Sequence, residues 1–106
     1  MTIRAVNPTT DVTIKEYEEM TPQEVGSTIE ATHQAFIAWR KASFADRAAP
    51  MRRAARILRD KAEEYAVLMA QEMGKPVSNG SGEAAKCAWV CDYYAESAEG
   101  LLQPEV

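Results

Sequence analysis

Imidazole and thiol are scarce in this chain of 106 residues, which has one histidine and two cysteines. A Cys-x-x-x-Cys pair without further ligands falls short of a zinc site, which takes four. Long apolar runs are missing as well. No stretch approaches the length a bilayer needs, and the opening Met1-Thr2-Ile3-Arg4 lacks a signal-peptide core. Basic charge is in deficit, with 12 Lys and Arg against 16 Asp and Glu for a net charge of −4. That balance argues against a general affinity for nucleic acid or anionic membrane. Repeats and low-complexity linkers are absent too. What remains is 46% hydrophobic and 26% charged residues, the mixture of a globular chain that forms one domain or part of one. Two cysteines without an export signal point to reduced thiols and a cytoplasmic location.

The first twenty residues alternate as strands do, with Ile3 and Ala5 on one face, then Val12 and Ile14. Between them Asn7-Pro8-Thr9-Thr10-Asp11 is dense in turn formers, so residues 1–20 are read as a β-hairpin or extended arm. A lone hairpin is marginal in water and needs another surface to lie on. Residues 21–106 read as helices. Thr21 is an N-cap, with Pro22 at the first helical position and Glu24 as capping-box partner. Val25, Ile29, Thr32, Phe36 and Trp39 then form one stripe.

Ser43, with Asp46 three residues on, starts a second helical pattern through Ala48, Met51, Ala55, Leu58, Ala62, Tyr65 and Met69. Its length predicts a bend near Asp60 or Lys61 and hence two helices. Gly74 supplies a left-handed C-terminal position and Pro76 prevents continuation. The last helix is predicted to begin between Val77 and Glu83 and to run to Gly100. Ala84, Ala88, Cys91, Ala95, Ala98 and Leu102 share one of its faces. The fold class is mainly α, with an N-terminal β-hairpin and three to four amphipathic helices.

Candidate motifs divide between chemistry and packing. Gly80-Ser81-Gly82-Glu83-Ala84-Ala85 matches G-x-G-x-x-A, but that fingerprint needs a buried strand before it, and here a capped helix precedes it. The glycines are expected instead to loosen the first turn of the last helix. Cys87 and Cys91 admit redox, metal-ligand or nucleophile readings, against packed and inert thiols in a helix interface, and packing is the expectation. His33 lacks a carboxylate partner in sequence and reads as a partly exposed helical histidine. Arg52, Arg53, Arg56, Arg59 and Lys61 read as a solvated face, with Arg56–Asp60 and Arg59–Glu63 pairs at i to i+4. Glu63, Glu64 and Glu72 read as surface carboxylates. Asn79-Gly80-Ser81 is a formal glycosylation acceptor, without meaning in the absence of secretion. No catalytic, cofactor-binding or metal residue is assigned.

Several of these features recur together in one known family. In order they are the Asn7-Pro8 hairpin, Phe36-x-x-Trp39, the arginine-rich helix after Ser43-Phe44, Glu72-Met73-Gly74-Lys75-Pro76, and Lys86-Cys87-Ala88-Trp89-Val90-Cys91-Asp92-Tyr93-Tyr94-Ala95-Glu96. Over its whole length the chain resembles the N-terminal segment of NAD(P)-dependent aldehyde dehydrogenases, most closely the succinate-semialdehyde type. Two departures are Asp11, where the family usually has glycine, and Asn79-Gly80-Ser81-Gly82 in place of a more helix-friendly run.

The resemblance implies a partial piece of an α/β aldehyde dehydrogenase cofactor domain, whose nucleophile, base and dinucleotide site belong to other parts of such enzymes. NAD or NADP serves the complete family enzyme, and none is expected on this chain alone. The resemblance also places the last helix beside the tunnel through which the aldehyde enters. Lys86, Trp89 and Tyr93, at i, i+3 and i+7, then form a tunnel wall, with Lys86 attracting a substrate carboxylate. The plainer alternative is that Trp89 and Tyr93 only pack against the rest of the domain. The expected partner is the remainder of a dehydrogenase subunit, or a second copy by self-association. The chain is read as a truncated or partial semialdehyde dehydrogenase, inactive alone. The alternative function is a stand-alone helical module that docks on a dehydrogenase subunit.

Overall fold

The computed structural model describes residues 2–105. Strands β1 (Thr2–Val6) and β2 (Thr13–Glu18) form an antiparallel hairpin in register from Thr2 opposite Glu18 to Val6 opposite Thr13, with an irregularity between Ala5 and Val6. The turn closes on Asn7. Its amide donates to the Val12 carbonyl at 2.9 Å, its carbonyl accepts from the Asp11 amide at 2.9 Å, and its Oδ1 accepts from the Thr9 amide at 2.9 Å. Asp11 takes the left-handed conformation at φ 57°, which a short polar side chain tolerates.

Helix α1 (Pro22–Trp39) starts as its sequence predicts. Thr21 Oγ1 accepts from the Glu24 amide at 3.2 Å, and the Glu24 carboxylate accepts from the Thr21 amide at 2.7 Å. The backbone hydrogen bond from Thr21, followed by that of its hydroxyl, lowers the Glu24 pKa. Its contribution to folding is therefore present above the unfolded carboxylate range and lost as pH falls through the lowered value. Helicity of the chain is expected to drop on acidification by an increment that Glu24→Gln removes. A titration followed by circular dichroism in which both proteins behave alike would contradict this. The stripe of α1 covers nothing here, since the helix contains no buried residue. Ile29 is 65% and Phe36 52% exposed.

Ser43 caps α2 (Phe44–Asp60), its hydroxyl accepting from the Asp46 amide at 3.1 Å. Pro50 sits inside this helix and removes one hydrogen bond, yet the helix continues to Asp60. Lys61, at φ −109° and ψ 17°, separates α2 from α3 (Ala62–Met73) where the bend is predicted. Gly74 then ends α3 at φ 71°.

Helix α4 (Val77–Leu101) begins directly after Pro76 and passes without a break through Asn79–Gly82. The expectation that the glycines loosen this turn is corrected at Gly80, which is buried. A Cβ there would lie 2.8 Å from Ala66 Cα and 2.9 Å from Ala66 Cβ. Gly80 is a point of close approach between α3 and α4.

α4 packs against α2 and α3. Besides Gly80, the buried residues among those described are alanines: Ala48, Ala55, Ala66, Ala84 and Ala88. Around them Met51, Leu58, Ala62, Tyr65 and Met69 are half-buried, so the stripe read across α2 and α3 does face inward. On α4 the predicted face holds from Ala84 to Ala98, whereas Leu102 is exposed past the helix end. An interface of alanines brings helices close but buries little apolar area per residue. The radius of gyration is 18.4 Å, against roughly 13 Å for a closed domain of this length.

The arginine run differs from its sequence reading. Arg59 Nη2 donates to Asp92 Oδ2 on α4 at 2.6 Å, and not to Glu63. No Arg56–Asp60 pair occurs among the described residues, while Lys61 meets Glu64 at 3.1 Å. Proximity along a helix loses here to a half-buried carboxylate on the neighbouring helix.

Candidate functional site

Aromatic and sulfur side chains concentrate on α4. Trp89 and Tyr93 lie one turn apart, with ring centroids separated by 5.8 Å and planes tilted by 30°. Tyr94 meets the edge of Tyr93 at 5.2 Å and 77°. Trp89 is 60% exposed, and Tyr93 and Tyr94 are also on the surface. The spacing that puts Lys86 on the same side as Trp89 and Tyr93 holds because α4 is unbroken from Val77 to Leu101. The three residues thus share a solvent-facing side opposite the Gly80, Ala84 and Ala88 row.

Lys86 also borders an open groove of about 460 Å³ with Glu83, Cys87, Val90 and Cys91. Both thiols are free; Cys91 is half-buried, but Cys87 is exposed, contrary to the expectation of packed thiols. The reason is rotational. Ala88 points at the α2–α3 layer, and its neighbour in sequence is turned by about 100° away from it. Across the turn between α3 and α4, Lys75 pairs with Glu83.

A second groove, of about 360 Å³, lies between the start of α2 and the end of α4, lined by Phe44, Arg47, Met51, Tyr94, Ala98 and Leu102 among others. The Arg47 guanidinium lies 4.4 Å from the Phe44 ring centroid, and its Nε is buried without a hydrogen-bond partner among the described residues. Sequence reasoning passes over this groove because its walls are about fifty residues apart. Only the caps and stripes of α2 and α4, taken together, signal it.

The remaining motifs are dispersed. His33 is exposed on α1 and faces Phe36 at 6.3 Å, far from the cysteines in sequence and on another helix. Gly80 to Ala85 lie inside α4, with no strand leading into them, so they form no phosphate-binding turn. Among the described residues no three His, Cys, Asp or Glu side chains converge as a metal site. No helix among them is long and apolar enough to cross a membrane. Acyl chemistry needs a thiol beside a base and an oxyanion site, and the hydrogen bonds of the described residues place no base on either thiol.

The sequence profile of the aldehyde dehydrogenase family matches residues 1–106. A succinate-semialdehyde dehydrogenase [NADP(+)] 1 of Mycobacterium tuberculosis is 40% identical over 105 residues, which are 99% of this chain and 23% of that protein. A probable succinate-semialdehyde dehydrogenase [NADP(+)] of Synechocystis is 37% identical over 106 residues, 100% of this chain and 23% of that protein. The crystal structure of succinic semialdehyde dehydrogenase from Streptococcus pyogenes, in complex with NADP+ as the cofactor, superposes with a TM-score of 0.89 at 31% identity. It covers 97% of this chain and 24% of that one. The chain therefore spans about a quarter of the length of the relatives it matches. Agreement in sequence over the whole of this chain, together with the same hairpin and helix arrangement, shows that the chain belongs to the aldehyde dehydrogenase family.

Proposed function

We propose that this chain forms the opening part of the cofactor domain of an NAD(P)-dependent semialdehyde dehydrogenase subunit, and that alone it neither oxidises aldehydes nor holds the dinucleotide. The observation that carries the reading is the uncovered apolar side of a segment shaped like its relatives. α1 presents Val25, Ile29, Phe36 and Trp39 to solvent, and the α2–α4 layer has only alanines and Gly80 at its centre. In the complete enzyme a thiolate from another domain attacks the aldehyde, and a glutamate-activated water releases the acid. NAD or NADP, held by other residues of the complete enzyme, would supply the hydride acceptor. The described residues offer no glycine-rich strand-to-helix turn for that cofactor.

Within such a subunit Lys86, Trp89 and Tyr93 wall the channel through which the aldehyde arrives. Lys86 supplies the positive charge that attracts the distal carboxylate of a semialdehyde, and the stacked rings of Trp89 and Tyr93 supply apolar wall.

The test is reconstitution. The chain is refolded together with a succinate-semialdehyde dehydrogenase deleted of its matching segment, and NADPH formation from succinate semialdehyde is followed. Activity at least about 10-fold above either component alone is expected, and the chain alone gives none. Lys86→Gln is expected to raise KM for succinate semialdehyde about 5- to 10-fold, the effect of roughly 1 to 1.4 kcal/mol. KM for an uncharged aldehyde of similar length stays put. Equal effects on both substrates would remove Lys86 from the channel wall. Turnover by the isolated chain would sink the whole proposal. Binding to an intact subunit without rescue of the deleted one would favour a docking module.

A further inference from the structure

We propose that Cys87 and Cys91 form a bidentate dithiol site on α4 that captures a trivalent arsenical, a soft electrophile whose valence is completed by two thiolates and one organic group. This inference is independent of the dehydrogenase reading.

Both cysteines are free, one exposed and one half-buried, and both line the same groove with Glu83, Lys86 and Val90. α4 is regular from Val77 to Leu101, so a spacing of four residues stacks the two side chains one turn apart on one side. Helical geometry sets their Cβ atoms about 5–6 Å apart. A disulfide needs Cβ atoms about 3.5–4.5 Å apart, so the helix resists a direct S–S bond. A single bridging atom fits better. Two bonds of about 2.3 Å, the length of a thiolate–zinc bond, at a tetrahedral angle bring the sulfurs to nearly 4 Å.

Zinc itself is a poor occupant. It takes four ligands, whereas no third or fourth side chain of the right type converges among the described residues, and the nearby Glu83 is paired with Lys75. Softness favours an acceptor that prefers sulfur to oxygen and nitrogen. The step balances without an oxidant. The arsenical R–As=O meets two thiols, two As–S bonds form and two S–H bonds break. The oxygen leaves with both protons as water, and arsenic stays trivalent.

The reduced 106-residue chain is treated with one equivalent of phenylarsine oxide, and intact mass is read under native conditions against rising monothiol. One adduct per chain, formed with loss of one water, is expected. It persists in about 100-fold excess monothiol, because the second sulfur binds intramolecularly at high effective concentration. A competing dithiol strips it. Cys87→Ser and Cys91→Ser each release the adduct at monothiol concentrations at least about 10-fold lower, with helicity unchanged. Should Cys91→Ser unfold the chain, Cys87→Ser at the exposed position decides alone. The proposal is overturned if a serine variant retains the adduct as the parent does, or if the parent carries one arsenical on each thiol.

Discussion

Gly80→Ala is expected to destabilise the helical layer by up to about 2 kcal/mol, although in a free helix that exchange stabilises. Alanine in place of glycine inside a helix contributes about 1 kcal/mol through backbone entropy. Against that gain stands the wall at Ala66, whose Cα lies 2.8 Å from the Cβ position of residue 80. A backbone atom cannot swing aside, so α3 and α4 must separate, and overpacking of this kind costs about 1–3 kcal/mol or more. Separation also loosens the Ala66 and Ala84 contacts beside it. Gly82→Ala serves as the internal control. A Cβ there meets nothing within 4 Å, so the propensity term acts alone and stability rises by about 0.5–1 kcal/mol. Urea unfolding of the three proteins should give opposite signs for two substitutions two residues apart. Equal stabilisation by both would mean that Gly80 is not the helix contact.

The second large effect concerns α1. Ile29→Glu combined with Phe36→Glu is expected to leave the chain's own stability within about 0.5 kcal/mol, because both side chains already stand in water. The same pair should reduce binding of a hydrophobic dye and lower self-association, since it interrupts an uncovered apolar stripe. In reconstitution the consequence is severe. Burial of an Ile or Phe contributes roughly 1.5–3 kcal/mol each, so losing both weakens docking by more than about 100-fold even before charge burial is counted. Unimpaired reconstitution would show that the stripe faces solvent in the complete subunit too. The two experiments separate the chain's internal packing, centred on α4, from the surface it offers to other parts of a subunit.

Local chemistry was legible from the sequence. Thr21, Ser43 and Gly74 set helix boundaries through contacts with residues at most four positions away, and the hairpin turn at Asn7–Asp11 is equally short-ranged. The period of the stripes on α2, α3 and α4 told which residues face inward, because an apolar pattern repeats with the helix itself. The ordered motifs from Asn7-Pro8 to Tyr93-Tyr94 carried the family, and the comparisons bear that out.

What depended on the tertiary structure were the non-local choices. Ala84 and Ala88 were placed on the inward face from sequence, but Gly80, one turn before them, was read only as a weak point in the first turn. That Gly80 is a contact and not a weak first turn depended on Ala66 standing opposite. Arg59 had an acceptable partner one turn away in Glu63, yet chose Asp92, which sits 33 residues on and two helices later. Cys87 faces solvent because α2 and α3 cover the adjacent side of α4, and its own burial preference has no say in where they cross. A helix repeats its own geometry along the chain, so it announces its ends and its faces from within. The axis, depth and rotation at which it meets another helix are set by both surfaces at once, and these decided where glycine, arginine and cysteine ended up.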